Sequence, residues 1–202
     1  MELLIIRHGR PERIEPSDAI ASGAAADPGL TEVGRAQSEA VAAWLGEENI
    51  DAIYVSPLRR ARETAEPLER TLGMTATVEP GIEEFNDGDG YIPIEELKQN
   101  RERWRKAMQG YDEVDLREFR QTVRTAINSI IANHRGQTVA LVCHGGVINA
   151  WAAEVLELER TMFFGPEYTS INRFRASSTG VHSVIALNES GHLRADRLHR
   201  MP

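Results

Sequence analysis

The sequence predicts an α/β fold, with a mostly parallel central sheet flanked by helices on both faces. Three observations predict it. Continuous apolar runs at residues 3–6, 52–55 and 138–143 have the length of strands and lack the alternation of half-buried ones. Longer stretches between them carry apolar residues at helical spacing. Strand and helix signals therefore alternate, which is the order that yields parallel strands joined by crossing helices.

Taken in order, Leu3-Leu4-Ile5-Ile6 ends at Arg7-His8-Gly9, a buried strand delivering a polar tip. Residues 10–29, rich in Pro, Gly, Asp, Ser and Ala, read as a surface loop with room for a short helix. Thr31 is an N-cap for a helix carrying Val33, Ala36, Ala40, Val41, Trp44 and Leu45 up to Gly46. Residues 52–55 form a second strand, and Ser56-Pro57 opens a helix with Leu58, Ala61, Ala65 and Leu68 that stops at Gly73. A third short strand is expected at 76–78, then a Gly/Asp-rich turn around 84–90.

Residues 93–109 are strongly charged, with a thin stripe of Ile94, Leu97, Trp104 and Met108, and predict an exposed helix laid over the body. Asp115 is expected to cap a longer helix with Leu116, Phe119, Val123, Ile127 and Ile130 on one face. The strand at 138–143 ends at His144-Gly145-Gly146 and leads into an apolar helix from about 147 to 156. Residues 171–174 and 181–187 alternate like half-buried strands, with a turn at 188–191. With no repeat or linker, residues 1–202 read as a single domain with a helical lid at about 90–112.

Composition narrows the function classes. The chain has 202 residues and a formal charge of −8, which argues against nucleic acid or an anionic membrane as partner, since both require a basic surface. Mean hydropathy of −0.38 and 41% hydrophobic residues suit a water-soluble globular protein. The lone cysteine, Cys143, allows no internal disulfide, and the opening apolar run is too short for a signal-peptide core. The expectation is a cytoplasmic protein. Homodimerisation is left open.

Two strands end in a histidine followed by glycine, at His8-Gly9 and His144-Gly145. Ligands of open α/β sheets sit beyond the carboxyl ends of the strands, so both imidazoles belong at one edge. Glycines permit close backbone approach, and the helix N-termini that follow offer free N–H groups to an anion. The strand at 52–55 sends Arg59 and Arg60 to the same edge. Guanidinium, imidazole and backbone donors together suit a phosphoryl dianion.

Five motifs in this order now carry a resemblance. They are Leu4-Ile5-Ile6-Arg7-His8-Gly9, Leu30-Thr31-Glu32-Val33-Gly34, the run from Ser56-Pro57-Leu58-Arg59-Arg60 to Ala65, Ile82-Glu83-Glu84, and Leu141-Val142-Cys143-His144-Gly145-Gly146. On these the chain resembles the histidine phosphatase superfamily, whose phosphoglycerate mutase-like fold is a three-layer sandwich. The resemblance implies a phosphomonoesterase working through a phosphohistidine on His8. It implies that Arg7, Arg60 and His144 bind the phosphoryl oxygens and that Glu84 is the proton donor; Gly145 and Arg10 are further substrate- or phosphate-binding candidates. It implies no cofactor and no metal, and a small phosphorylated metabolite as substrate.

Arg59, Arg60 and Arg62 also read as a solvated helix face, and Glu83 or Asp87 compete with Glu84 for the acid's role. Cys143 reads as a buried thiol, since no arginine follows it at phosphatase-loop spacing. The stretch Arg10-Pro11-Glu12-Arg13-Ile14 departs from the family pattern, so one customary phosphate contact is expected to be missing. Arg10 and Arg13 are candidates for the distal part of the substrate, as are Tyr91, Lys98 and Arg101. Phosphoglycerate mutase-type transfer, a phosphohistidine protein as substrate, and a non-catalytic phosphate-binding module are the alternatives.

Overall fold

The computed structural model describes residues 1–14, 27–85, 101–102, 105, 115–177 and 179–195. Within these, β1 (Glu2–Arg7), β2 (Ala52–Val55), β3 (Thr77–Val78), β4 (Thr138–Cys143), β5 (Ile171–Ala176) and β6 (His182–Glu189) form a sheet of order β3-β2-β4-β1-β5-β6. The first four in that order are mutually parallel, β5 runs antiparallel to β1, and β6 runs antiparallel to β5. The sheet is therefore mixed and mostly parallel.

The continuous apolar runs have a direct cause. Successive side chains of a strand point to opposite faces. Leu3 and Ile5 of β1, with Val139, Leu141 and Cys143 of β4, pack on α3 (Arg117–Asn133) and α4 (Gly145–Val155) through Val123, Ile127, Ile130, Ile148 and Trp151. Leu4, Ile6, Ala140 and Val142 face the other way, onto Val41 and Leu45 of α1 (Glu32–Leu45) and Ala61, Ala65 and Leu68 of α2 (Arg59–Leu72). Each fully buried Leu or Ile contributes roughly 1.5–3 kcal/mol. A strand with such residues on both faces is placed by burial, because intrinsic β preference spans only about 1 kcal/mol.

The helix starts differ from expectation at three places. α2 begins at Arg59 and not at Ser56-Pro57; Leu58 caps it without a side-chain bond, and the Asp27 carboxylate accepts the Arg59 N–H at 2.9 and 3.0 Å instead. α3 begins at Arg117 with Leu116 as N-cap, although the Asp115 carboxylate still accepts the Arg117 N–H at 3.0 Å. α4 starts directly after His144, two residues early, which puts both glycines in its first turn. Thr31 does cap α1, accepting the Gly34 N–H at 3.0 Å.

The third strand is shorter than its signal, at Thr77–Val78. The expected turn at 188–191 is replaced by β6 running on to Glu189, with Asn188 at φ 60, and by α5 (Gly191–Ala195). The lid expected at about 90–112, with Tyr91 and Lys98, lies outside the described residues except 101, 102 and 105. These three are helical and exposed, Arg101 among them. Among the described residues no helix is long and apolar enough to cross a membrane.

Candidate active site

Parallel pairing assembles the site. β1 lies beside β4 with Arg7 opposite Cys143, so the residues that follow, His8 and His144, emerge next to each other. Their ring centroids are 5.2 Å apart. β2 lies on the other side of β4, and the Ser56 N–H extends the ladder to the Val142 carbonyl at 3.0 Å. Ser56 therefore reaches the same edge, where its hydroxyl lies 2.8 Å from His144 Nε2. Arg60 comes from the first turn of α2. Glu84 follows the 3₁₀ turn Pro80–Ile82, which is tied to the end of β2 by the Glu79 N–H donating to the Val55 carbonyl at 2.9 Å.

His8 is held by its neighbour's backbone. Its Nδ1 lies 2.7 Å from the Gly9 carbonyl. A carbonyl only accepts, so Nδ1 carries the proton and Nε2 keeps its lone pair. The same Gly9 peptide donates its N–H to Thr64 Oγ1 at 2.9 Å, and Thr64 donates to the Arg60 carbonyl at 2.7 Å. One threonine thus couples the His8 loop to the helix turn that carries Arg60.

The Leu30–Gly34 motif holds the next residues of the loop. Thr31 donates to the Arg10 carbonyl from its N–H at 2.9 Å and its hydroxyl at 3.0 Å, and Gln37 Oε1 accepts the Arg10 N–H at 3.0 Å. A Cβ at Gly34 would collide with the Arg10 carbonyl, so the approach requires glycine there. Arg13 is exposed.

Arg7 is buried and doubly gripped. Its Nη1 donates to the Pro166 carbonyl at 2.6 Å, and its guanidinium lies 4.0 Å from the centroid of the Tyr168 ring. Gly145 faces it: the nearest atom to a Cβ built there is Arg7 Nε, at 3.8 Å. Gly146 has the tighter role. Its N–H donates to Glu84 Oε2 at 3.0 Å, and a Cβ there would collide with Glu84 Oε1 and the Phe85 ring.

Burial and the two guanidinium groups set the protonation states. Burial, then Arg60, His144 and Arg7, hold His8 well below its ordinary pKa, although the Gly9 carbonyl opposes the shift. Burial, Arg60 and Arg7 lower His144 likewise. Both imidazoles are therefore neutral near pH 7. Burial raises Glu84 above the usual carboxyl range and outweighs the Gly146 N–H and the two arginines, which pull it down. Burial also raises the Cys143 thiol, which keeps it protonated and inert.

The structure thus brings together Arg7, His8, Arg60, Glu84, His144 and Gly145, all named from the sequence. Arg10, two residues after His8, is tied through its backbone to Thr31 and Gln37. Ser56, Thr64, Tyr168 and Thr169 escaped sequence reasoning, and Gly146 reads there only as a glycine permitting close approach. Ser56 and Thr64 stand inside a recognised motif, but Tyr168 and Thr169 lie in an irregular segment before β5 with no local signal.

Known proteins resemble this chain in sequence and in fold. Residues 3–199 match the family described as the histidine phosphatase superfamily (branch 1). A probable phosphoglycerate mutase of Yersinia enterocolitica is 28% identical over 166 residues, 78% of this chain and 76% of its own. A bifunctional protein of Mycobacterium tuberculosis is 28% identical over 95% of this chain, which spans only 54% of that protein's length. Among solved structures, phosphoserine phosphatase from Entamoeba histolytica, in complex with 3-phosphoglyceric acid, superposes with a TM-score of 0.72 at 25% identity, covering 95% of this chain and 98% of its own. The mycobacterial glucosyl-3-phosphoglycerate phosphatase does so with a TM-score of 0.72 at 22% identity, covering 94% and 99%.

Proposed function

Because the chain belongs to the histidine phosphatase superfamily (branch 1), we propose that it hydrolyses small phosphomonoesters through a phosphohistidine on His8. The observation that carries this reading is the bond from His8 Nδ1 to the Gly9 carbonyl, which leaves Nε2 as a neutral nucleophile beside Arg7, Arg60, Glu84 and His144. Nε2 attacks phosphorus and the phosphorus–ester oxygen bond breaks. Glu84, whose carboxyl burial shifts toward the protonated form, gives its proton to the departing alkoxide. In the second step the Glu84 carboxylate takes a proton from water, the hydroxide adds to phosphorus, and the phosphorus–nitrogen bond breaks to return free His8 and phosphate.

Arg7 and Arg60 supply fixed positive charge to the equatorial oxygens of a dissociative transition state. His144 adds a donor. The Leu58 N–H donates to Ser56 Oγ at 3.3 Å, which favours the Ser56 hydroxyl giving its hydrogen to His144 Nε2. The imidazole proton then sits on Nδ1, a buried atom without a partner among the described residues, and serves a phosphoryl oxygen. With this charge supplied by side chains, turnover is expected to persist in EDTA and to be inhibited competitively by vanadate. Loss of activity on chelation, restored by a divalent ion, would refute that.

The deciding experiment is His8→Ala. Turnover of p-nitrophenyl phosphate is expected to fall by on the order of 10³ or more. Acid-labile, alkali-stable phosphoenzyme is expected to be trapped from the native protein alone. Substantial turnover in His8→Ala would end the reading. A purely phosphate-binding module would bind vanadate without releasing phosphate from any ester.

The Yersinia relative favours a second reading, mutase-type transfer. A mutase must keep its phosphohistidine dry while the intermediate reorients, and must offer donors to a carboxylate. Here Glu84 is followed by Phe85, whose ring lies against Gly146 and at 5.2 Å from Phe119 and offers a carboxylate no donor. Hydrolysis is therefore favoured. Incubation with 3-phosphoglycerate, with and without 2,3-bisphosphoglycerate, separates the two: free phosphate is expected to outpace 2-phosphoglycerate.

A further inference from the structure

Thr169 is a β-branched residue at φ 54, in the left-handed region where its side chain crowds the backbone. Such a conformation persists where the surroundings over-determine it, commonly beside a functional site. The surroundings here are specific. The Thr169 N–H donates to the Arg7 carbonyl at 3.0 Å and lies 3.4 Å from the His8 carbonyl, while the Arg7 N–H donates to the Ser170 carbonyl at 3.2 Å. The Thr169 hydroxyl lies 3.1 Å from His192 Nε2, on α5. All of this is enclosed: Thr169 and Ser170 are 0% exposed and His192 is 4% exposed.

β5 pairs with β1 only up to Ile6, opposite Ile171. Beyond that point the left-handed turn at Thr169 brings its N–H onto the carbonyls of the residues that carry the site. The same segment supplies the Pro166 carbonyl and the Tyr168 ring that grip the Arg7 guanidinium. Residues 166–170 therefore hold the backbone and the side chain of Arg7, immediately before His8. The hydroxyl–imidazole bond fixes the strained residue from outside the segment.

We propose that Thr169 and His192 are positioning residues: their side-chain bond locks the strained turn that fixes Arg7 and aims His8, coupling α5 to the nucleophile. This rests on the reading of His8 as nucleophile. Losing the hydroxyl leaves two faults together. The strained backbone loses its outside tie, and His192, whose Nδ1 has no partner among the described residues, becomes a buried ring without a bond at Nε2 either.

The test measures the rate of phosphohistidine formation from p-nitrophenyl phosphate by rapid quench. Thr169→Val and His192→Leu are expected to slow formation by about tenfold or more, with KM within about twofold, because a small misalignment of the nucleophile acts on the chemical step. Thr169→Ser and His192→Gln retain a hydrogen-bonding partner and are expected to stay within about threefold of the native rate. The imidazole ¹⁵N resonances of His8 are expected to move in Thr169→Val and to stay in Thr169→Ser.

Native formation rates in folded Thr169→Val and His192→Leu would overturn the proposal. Should either fail to fold, Thr169→Gly is compared with Thr169→Ser: a slow glycine variant supports the proposal, and equal rates overturn it. Activity surviving in His8→Ala overturns the functional reading instead. An inactive His8→Ala beside an unimpaired Thr169→Val removes this inference alone.

Discussion

Arg7 and Arg173 stand on neighbouring strands, and both are largely removed from water, but their surroundings differ in kind. Arg173 is enclosed by carboxylates: Glu48, Glu189 and Glu2 bind its guanidinium, at 2.9 Å for Glu189 and 3.3 Å for Glu2. These bonds, Glu48 first, push its pKa up. Arg7 is held by a carbonyl and an aromatic face, groups that fix its direction without cancelling its charge. One arginine is a tie between strands and loops. The other is kept as a field, felt by His8, His144 and Glu84 alike. On the proposed function, such a field is what lets a chain of net charge −8 draw an anion to this site.

Swapping the two roles gives the largest expected contrast. On the proposed function, Arg7→Met removes charge that stabilises the transition state and is expected to lower kcat/KM by on the order of 10²–10³. Arg173→Met is expected to leave kcat/KM within about twofold and to lower the melting temperature, because three carboxylates are left facing one another. Comparable kinetic losses in both variants would show that the contrast is not functional.

Glu84→Gln sharpens the comparison from the other side, since both guanidinium groups pull this carboxyl down while burial raises it. A donor matters in proportion to the leaving group's need. The loss in kcat is expected to be on the order of 10² for alkyl phosphates and clearly smaller for p-nitrophenyl phosphate. With Glu84 raised and His8 lowered, the proposed roles predict that the alkaline limb of kcat/KM follows Glu84 and the acid limb His8, which would have to lose its proton to attack. The alkaline limb is expected to vanish in Glu84→Gln. Equal losses on both substrates would remove Glu84 as the acid and turn attention to Glu83.

Much of this was legible in the sequence, for physical reasons. A strand buried on both faces shows itself as a continuous apolar run, so β1 and β4 and the residues at their tips were readable; β2, apolar throughout, alternates half-buried and buried positions instead. Helix starts were read less well, because side chains distant in sequence complete them; Asp27 serves Arg59 from 32 positions away. β6 ran past its expected turn because Asn188 accepts the left-handed conformation inside the strand, and its side chain receives the Glu167 N–H at 2.7 Å. The residues that steady the site were hidden for the same reason as the caps. Thr169 meets Arg7 across more than 160 positions, and no local periodicity encodes such a contact.

The smallest expected effect concerns stability and again contrasts a buried group inside the site with one behind it. His192 is lowered by burial from 6.5 to about 4. Between those values the unfolded chain binds a proton that the folded chain excludes, so this contribution is complete above pH 6.5 and is lost as pH falls toward 4. At pH 5 the loss is on the order of 1–2 kcal/mol. His8 and His144 act in the same direction, whereas Glu84, raised by burial, stabilises the fold as pH falls through its own titration. The wild-type slope is the sum of these. His192→Gln keeps a partner for Thr169 but cannot titrate, so urea unfolding from pH 7 to 5 is expected to show a shallower decline in this variant. Glu84→Gln, with the opposing carboxyl gone, is expected to show a steeper one. Parallel slopes in wild type and His192→Gln would mean that His192 titrates alike in both states, and that α5 does not enclose it in solution.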